Sequence, residues 1–412
     1  MQKSFIEIPA GHPFPLYNLP YGVFDYQGQT SIGVAIGDYV LNLSLLEEKG
    51  LLKVAELKGK KVFNQPTLNT FLEMGKPCWS AVRKFLMHFL ASDTSDLRDN
   101  PALQKELLIP QQQVTMKMPV HVGGYTDFYS SLEHATNLGK MFRDPENPLL
   151  PNWKYIPVGY DGRASAIVVS GTKIKRPNGQ LKIGDDAPIC ALTRQFDTEI
   201  ELGFVVGTGN ELGCPISINQ AADHIFGAVI LLDWSARDIQ RWEYVPLGPF
   251  LGKNFGTTIS PWIVTMEALA PFSTPGPVQD PKPLPYLSHQ NTNFDIDLHL
   301  QIKTPKMDLY QEIAHTNYKY MYWDIAQQVA HHTVNGCNLR AGDILGTGTI
   351  SGSTSDSYGS LIELTWGGQN PIHLDSGESR VYLEDSDSMQ VVAFAKRDDL
   401  TIGFGCAEAT VF

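Results

Sequence analysis

Phe196-Asp-Thr-Glu-Ile-Glu-Leu-Gly-Phe-Val-Val-Gly207 sets acidic residues between large apolar ones. Apolar residues at every second position are the mark of a β-strand, on which residues i and i+2 share a face about 6–7 Å apart. Over 199–206, Glu199 and Glu201 therefore project side by side, and Ile200 and Leu202 project from the other face. Two neighbouring carboxylates repel unless a proton or a cation lies between them. Ca²⁺ and Mg²⁺ favour such oxygen ligands. The plain alternative is a solvated strand face.

Other stretches read as strands at 166–170, 225–232, 261–265, 294–302, 360–366, 391–394 and 407–412. Helical spacing interrupts them at 127–142, 235–244 and 320–334. Strands mostly follow strands, which predicts a mainly β chain, a sandwich or roll with peripheral helices. Upstream, 31–43 reads as two strands joined at Gly37-Asp38. The 66–90 stretch has helical spacing through Phe71, Trp79, Val82, Phe85, Phe89 and Leu90. A new β-like section opens at 114–120, so a domain boundary is expected at Met118, giving units 1–118 and 119–412. The Pro-rich 270–285 stretch reads as an exposed loop.

The chain has 412 residues, 32 basic and 44 acidic, for a formal net charge of −12. With no basic block, nucleic acid and anionic membranes are poor partners. The longest apolar run, 225–232, is far too short to span a membrane. Five scattered cysteines without metal-ligand spacing fit reduced thiols and a cytoplasmic location. The first residues contain no apolar signal region.

Chemistry-bearing residues gather in a few segments. The apolar strand that begins at Ile225 ends in Asp233, and Ser235 with Asp238 resembles a helix-start box. Arg237, Gln240 and Tyr244 then share a helical face able to grip an oxyanion; the alternative is an ordinary polar face with Asp233 as a helix cap. Asp127 reads as a helix N-cap, and His134 stands close to the same face seven residues on. A histidine there can act as a base, or be an ordinary helical residue. Glycines around Lys253 and before Thr257 allow close backbone approach to a ligand, or simply form a turn. Thr347 and Thr349 lie among glycines ahead of Glu363, which reads as a strand residue; they could donate hydrogen bonds to a carboxylate, but for this stretch alone a plain hairpin is the favoured reading.

Taken together, three segments give a specific resemblance: Tyr125-Thr-Asp-Phe-Tyr-Ser-Ser131, Asp233-Trp-Ser-Ala-Arg-Asp-Ile-Gln240 and Tyr244-Val-Pro-Leu-Gly-Pro-Phe-Leu-Gly-Lys253. With the opening Asn18-Leu-Pro-Tyr-Gly-Val-Phe24, they make the chain similar, over nearly its whole length, to the fumarylacetoacetate hydrolase family. The resemblance implies a small SH3-like N-terminal barrel, a C-terminal mixed β-sandwich roll and a homodimer. It implies a Ca²⁺ or Mg²⁺ site at Asp127, Glu199, Glu201 and Asp233. A second, structural Mg²⁺ would lie near Asp233, Lys253 and Thr257, with Lys253 contributing its carbonyl because an ammonium cannot ligate a cation.

Substrate contacts are implied at Tyr129, Arg143, Tyr160, Gln240, Tyr244 and Thr349. Hydrolysis of a carbon–carbon bond in a small diketo acid, 4-fumarylacetoacetate, is expected, with His134 as general base oriented by Glu363. Arg237, Gln240 and Lys253 would then stabilise the oxyanion and the departing enolate. The competing readings are a relative that cleaves acylpyruvates and a non-enzymatic Ca²⁺-binding protein. Gly124, where an acidic residue is expected, and Asp161, where histidine is expected, depart from the family pattern.

Overall fold

The computed structural model describes residues 2–412. Its N-terminal sheet is antiparallel and has five strands, in the order Leu108–Pro110, Tyr39–Asn42, Gln29–Ile36, Tyr21–Tyr26, Thr115–Lys117. The turn at Gly37-Asp38 falls where the sequence puts it, with Gly37 at φ +51°. The helical 66–90 stretch splits into Asn69–Leu72 and Lys76–Phe89. Gly75 between them sits at φ +81°, which a helix cannot continue through.

A large mixed sheet forms the centre of the rest. Its order is Gly159–Asp161, Tyr125–Phe128, Ile344–Gly346, Phe196–Val206, Ile225–Ala236, Thr257–Ile259, Ile167–Val169, and Val264–Thr265 also pairs with Ile225–Ala236. A four-stranded antiparallel sheet, Gln311–Asn317, Asp297–Lys303, Ser388–Arg397 and Leu400–Thr410, packs across one face. Ile200, Leu202 and Phe204 meet Leu298, Leu300, Val391 and Phe404 in the core between the two sheets.

The opposite face of the long strands changes character along its length. At one end Val205, Val229 and Leu231 share a core with Val23, Ile32 and Phe71 of the N-terminal unit. At the other end the same alternation presents Asp197, Glu199, Glu201 and Asp233. The N-terminal unit covers the apolar end, so the acidic end is the one left to face a ligand.

Four local expectations are corrected. Asp127 lies on the strand Tyr125–Phe128, paired parallel to Ile344–Gly346, and does not cap a helix. Ser131 caps Leu132–Phe142 instead, its hydroxyl accepting from the His134 amide at 3.2 Å. The strand from Ile225 runs through Ser235 to Ala236, so the helix starts only at Arg237 and Asp233 is no cap. The 360–366 stretch is a short helix, Leu361–Leu364, and not a strand: the Asp197 carboxylate accepts the Leu361 and Ile362 amides that such a helix leaves unpaired. Among the described residues no helix is long and apolar enough to cross a membrane.

Candidate active site and metal centre

Glu199 and Asp233 face each other directly across the antiparallel pair Phe196–Val206 and Ile225–Ala236. Parallel pairing brings Asp127 beside Gly346, next to Glu201. All four carboxylates are buried, so the acidic strand face is not a solvated one. A carboxylate oxygen from each of Asp127, Glu201 and Asp233 lies within 4.8 Å of the other two.

Glu199 is placed differently. Its Oε1 accepts from Arg237 Nη2 at 2.6 Å and its Oε2 from Lys253 Nζ at 2.5 Å. Lys253 also donates from Nζ to Asp233 Oδ2. The ammonium of Lys253 therefore faces the carboxylates, while Thr257 is the strand partner of Asp233.

Electrostatics separate these groups. Burial opposes charge on Glu199, but Arg237, Lys253 and His134 outweigh it and hold the carboxyl well below the usual range. Burial pushes Glu201 well above its ordinary value, and Asp127, Asp233 and Glu199 push the same way. Burial also raises Asp233, against the pull of Lys253. Asp127 is raised to about 6 by burial, with Lys253 opposing and Glu199 adding to the rise.

The residues fit a divalent cation. Asp127 Oδ1 and Glu201 Oε1 are buried without a hydrogen-bond partner, a costly state for an ionised carboxylate. Counting Asp197, five buried carboxylates face two buried cations, Arg237 and Lys253. A hard dication on oxygen ligands would remove most of that imbalance. Glycine keeps the space open: a Cβ on Gly346 would stand 2.9 Å from Asp127 Oδ1 and 3.0 Å from Glu201 Oε2. Gly348, at φ +77°, donates its amide to Glu201 Oε2 at 3.0 Å.

A second cluster, His299, Glu312 and His315, lies on the four-stranded sheet. Its two imidazoles are stacked at 4.2 Å, 12° from parallel. Their in-plane lone pairs therefore run side by side and do not converge. Each ring also already meets a carboxylate, His299 on Glu312 and His315 on Asp297.

His134 enters from the helix Leu132–Phe142. Its Nδ1 lies 2.7 Å from Glu363 Oε2. Glu363 also accepts from Asn137 at 2.9 Å, Ser351 at 2.9 Å and Ser360 at 2.7 Å. Burial opposes its charge, but His134 and these donors keep its pKa below the ordinary value. An ionised carboxylate only accepts, so Nδ1 carries a hydrogen toward Glu363, and in the neutral imidazole Nε2 is then the nitrogen with the lone pair. Nε2 stands 3.2 Å from Thr349 Oγ1 and 3.8 Å from Glu199 Oε1. Tyr129 packs edge-on against the ring at 5.3 Å.

These groups open onto a cleft of about 490 Å³, a volume suited to a small metabolite. Tyr129, Arg143, Tyr160, Gln240, Tyr244 and Thr349 all line it, as do Asp127, His134, Glu199, Glu201, Arg237 and Lys253. Asp233 and Glu363 support the site from behind, and Thr257 borders a separate cavity shared with Tyr160 and Lys253. Arg237 spreads its guanidinium over three acceptors: Nε to Asp197 at 2.7 Å, Nη2 to Glu199, and Nη1 to Gln240 Oε1 at 3.1 Å. At the mouth, Phe142, Leu150 and Leu247 are exposed apolar residues. Gly124 and Asp161 lie outside this cleft; a side chain at 124 would stand 3.2 Å from the Asp343 carboxylate.

Sequence reasoning missed Asp197, Asn137, Ser351 and Ser360. Asp197 had a visible signal, being the first of three acids at alternate positions on one strand. Asn137 stands three residues after His134 and Ser360 three before Glu363, but spacing alone does not mark either one. Ser351 reaches Glu363 through the fold.

Family models match the chain in two blocks: "Fumarylacetoacetase N-terminal" over residues 17–119 and "Fumarylacetoacetate (FAA) hydrolase C-terminal" over 124–412. The chain is 53% identical to a fumarylacetoacetase of Dictyostelium discoideum over 99% of its own length and 97% of that protein. It is 51% identical to a fumarylacetoacetase of Homo sapiens, over 98% and 97% of the respective lengths. Among solved structures it is similar in fold to a fumarylacetoacetate hydrolase from psychrophilic Exiguobacterium antarcticum, with TM-score 0.52 and 18% identity, over 95% of this chain and 99% of that one.

Proposed function

Because the chain belongs to the fumarylacetoacetate hydrolase family, we propose that it is a hydrolase of carbon–carbon bonds that converts 4-fumarylacetoacetate to fumarate and acetoacetate. The observation that carries this reading is His134, fixed by the 2.7 Å contact of Nδ1 with Glu363 and turning Nε2 toward Thr349 and Glu199, beside the buried carboxylate cluster of Asp127, Glu201 and Asp233.

In this reading Asp127, Glu201 and Asp233 hold a Ca²⁺ or Mg²⁺ ion, with Glu199 beside it. When bound, the ion would act as a Lewis acid toward the diketone oxygens. His134 takes a proton from water at Nε2 as the water oxygen attacks the carbonyl carbon of the fumaryl group. Glu363 stabilises the imidazolium across Nδ1. Arg237, Gln240 and Lys253 stabilise the tetrahedral oxyanion. The C–C bond then breaks, its electrons enter the enolate of acetoacetate, and His134 returns the proton to that carbon. Arg143, Tyr129, Tyr160, Tyr244 and Thr349 grip the terminal carboxylates and fix the substrate's direction.

A second Mg²⁺ near Asp233, Lys253 and Thr257 belongs to the same proposal, as do domains 1–118 and 119–412. A homodimer and a cytoplasmic location complete it; all five cysteines are free thiols, which fits a reducing compartment. Sedimentation would test the dimer.

The deciding assay follows loss of the conjugated diketone's ultraviolet absorbance, after chelation and after return of Ca²⁺ or Mg²⁺. Turnover should vanish on chelation and return with metal. His134→Ala should lose turnover while still binding metal, and near-normal kcat in that variant would remove His134 as base. An acylpyruvate cleaved faster than fumarylacetoacetate would overturn the substrate.

A further inference from the structure

Asp197 contacts no part of the cleft surface, yet its carboxylate is fully buried and satisfied on both oxygens. Oδ1 accepts the Thr198 amide at 2.7 Å and the Leu361 amide at 2.9 Å. Oδ2 accepts the Ile362 amide at 3.1 Å and Arg237 Nε at 2.7 Å. One carboxylate thus joins two parts of the machinery. It holds the guanidinium whose other nitrogens reach Glu199 and Gln240. It also fixes the start of Leu361–Leu364, the one-turn helix that carries Glu363 and through it orients His134.

Four residues make too short a helix to be stable alone. Its position depends on what accepts its first amides. A stiff anchor is needed because a base displaced by even 1 Å loses much of its effect. A structural ion pair would require only the Arg237 contact. The two amide contacts are surplus to that role and are what tie the strand Phe196–Val206 to the helix.

We infer that Asp197 is a positioning residue that couples Arg237 to the Glu363–His134 pair, so that the oxyanion-stabilising cation and the base are held in register by one carboxylate. The inference concerns the same site as the proposed hydrolysis and rests on that reading for its kinetic arm. It predicts that part of the effect of Asp197 runs through Glu363 and the rest through Arg237.

The test is a double-variant cycle on the full-length, metal-loaded protein, with Asp197→Asn, Glu363→Gln and the pair. Asp197→Asn should lower kcat about 100-fold, the lower range for a misoriented general base. It should leave Ca²⁺ affinity within about 3-fold in calorimetric titration, because the converging carboxylates are untouched. In the Glu363→Gln background the same change should cost about 10-fold or less, since the part of its effect that runs through Glu363 is already gone and only the Arg237 part remains. A second readout does not use activity. The hydrogen on His134 Nδ1, shared with Glu363, should give a strongly deshielded proton resonance in the wild type that Asp197→Asn shifts or broadens.

If Asp197→Asn does not fold, Asp197→Glu keeps the charge but lengthens the arm by one methylene, and should give the same pattern. Multiplicative losses in the cycle, or an unchanged His134 resonance, overturn the inference. If the wild type fails to cleave fumarylacetoacetate, the proposed reaction falls instead. The resonance and the Ca²⁺ titration then still decide the role of Asp197.

Discussion

Replacing Asp127 by asparagine should stabilise the metal-free protein and weaken the metal-bound one. Burial and Glu199 raise the Asp127 carboxyl from its ordinary 3.8 to about 6. In the window between those values the folded chain holds a proton that the unfolded chain has released. Rising pH therefore costs the metal-free fold stability across that window, and the cost is complete above about pH 6. At 1.36 kcal/mol per pH unit the interval is worth about 3 kcal/mol. Asparagine has the same shape and no charge, and its amide can donate to the unpaired Glu201 Oε1.

For 412 residues, an unfolding entropy of about 2.1 cal/mol/K per residue makes this a rise in Tm of about 3 °C. The assay is thermal unfolding of EDTA-treated wild type and Asp127→Asn, at pH 8 and pH 5, with and without saturating Ca²⁺. The advantage of the variant should be largest at pH 8 and about half as large at pH 5. In Ca²⁺ the order should reverse, because only the wild type gains the full binding energy. A metal-free variant no more stable than wild type at pH 8, or an advantage that does not shrink at pH 5, would refute the idea that Asp127 is an electrostatic burden awaiting a cation.

Ca²⁺ affinity itself should fall as pH is lowered from 8 to 5, since ligation requires the Asp127, Glu201 and Asp233 carboxylates without protons and burial raises all three, Asp127 to about 6; calorimetric titration over that range would show it, and a flat profile would argue against these ligands. Glu363→Gln should lower kcat by about 100-fold or more in the diketone assay. The Glu363 pKa is depressed in the fold, so its stabilising contribution is full above the ordinary carboxyl value and is lost as pH falls through the folded one; denaturant unfolding of wild type and Glu363→Gln should therefore converge in acid. Gly346→Ala should cost metal affinity at least about 10-fold, because the new Cβ would crowd Asp127 and Glu201; an alanine variant that binds Ca²⁺ normally would show that the cage can expand.

The sequence determined the long central strands and which way they face. Alternation over Phe196–Val206 put Glu199 and Glu201 on one side and Ile200 and Leu202 on the other. A period of two is a local property that any extended chain obeys. The segments bearing Asp127, His134, Arg237 and Lys253 were also legible, because their residue types and spacing are distinctive.

Element boundaries were less legible where a distant group decided them. Nothing within 360–366 marks a helix, since the acceptor for its first amides, Asp197, lies more than 160 residues earlier. Asp127 looked like a cap because aspartate caps helices; its partners on either side, Gly159–Asp161 and Ile344–Gly346, made it a strand residue. The separate standing of Glu199, bound by two cations while its neighbours go short of partners, was likewise invisible. Which acid meets Arg237 and which is left unpaired depends on side chains converging from three strands, one helix and the turn that carries Lys253. That is why the chain alone announced the carboxylates, while only the packed structure showed which of them accept from Arg237 and Lys253 and which keep an oxygen unpaired.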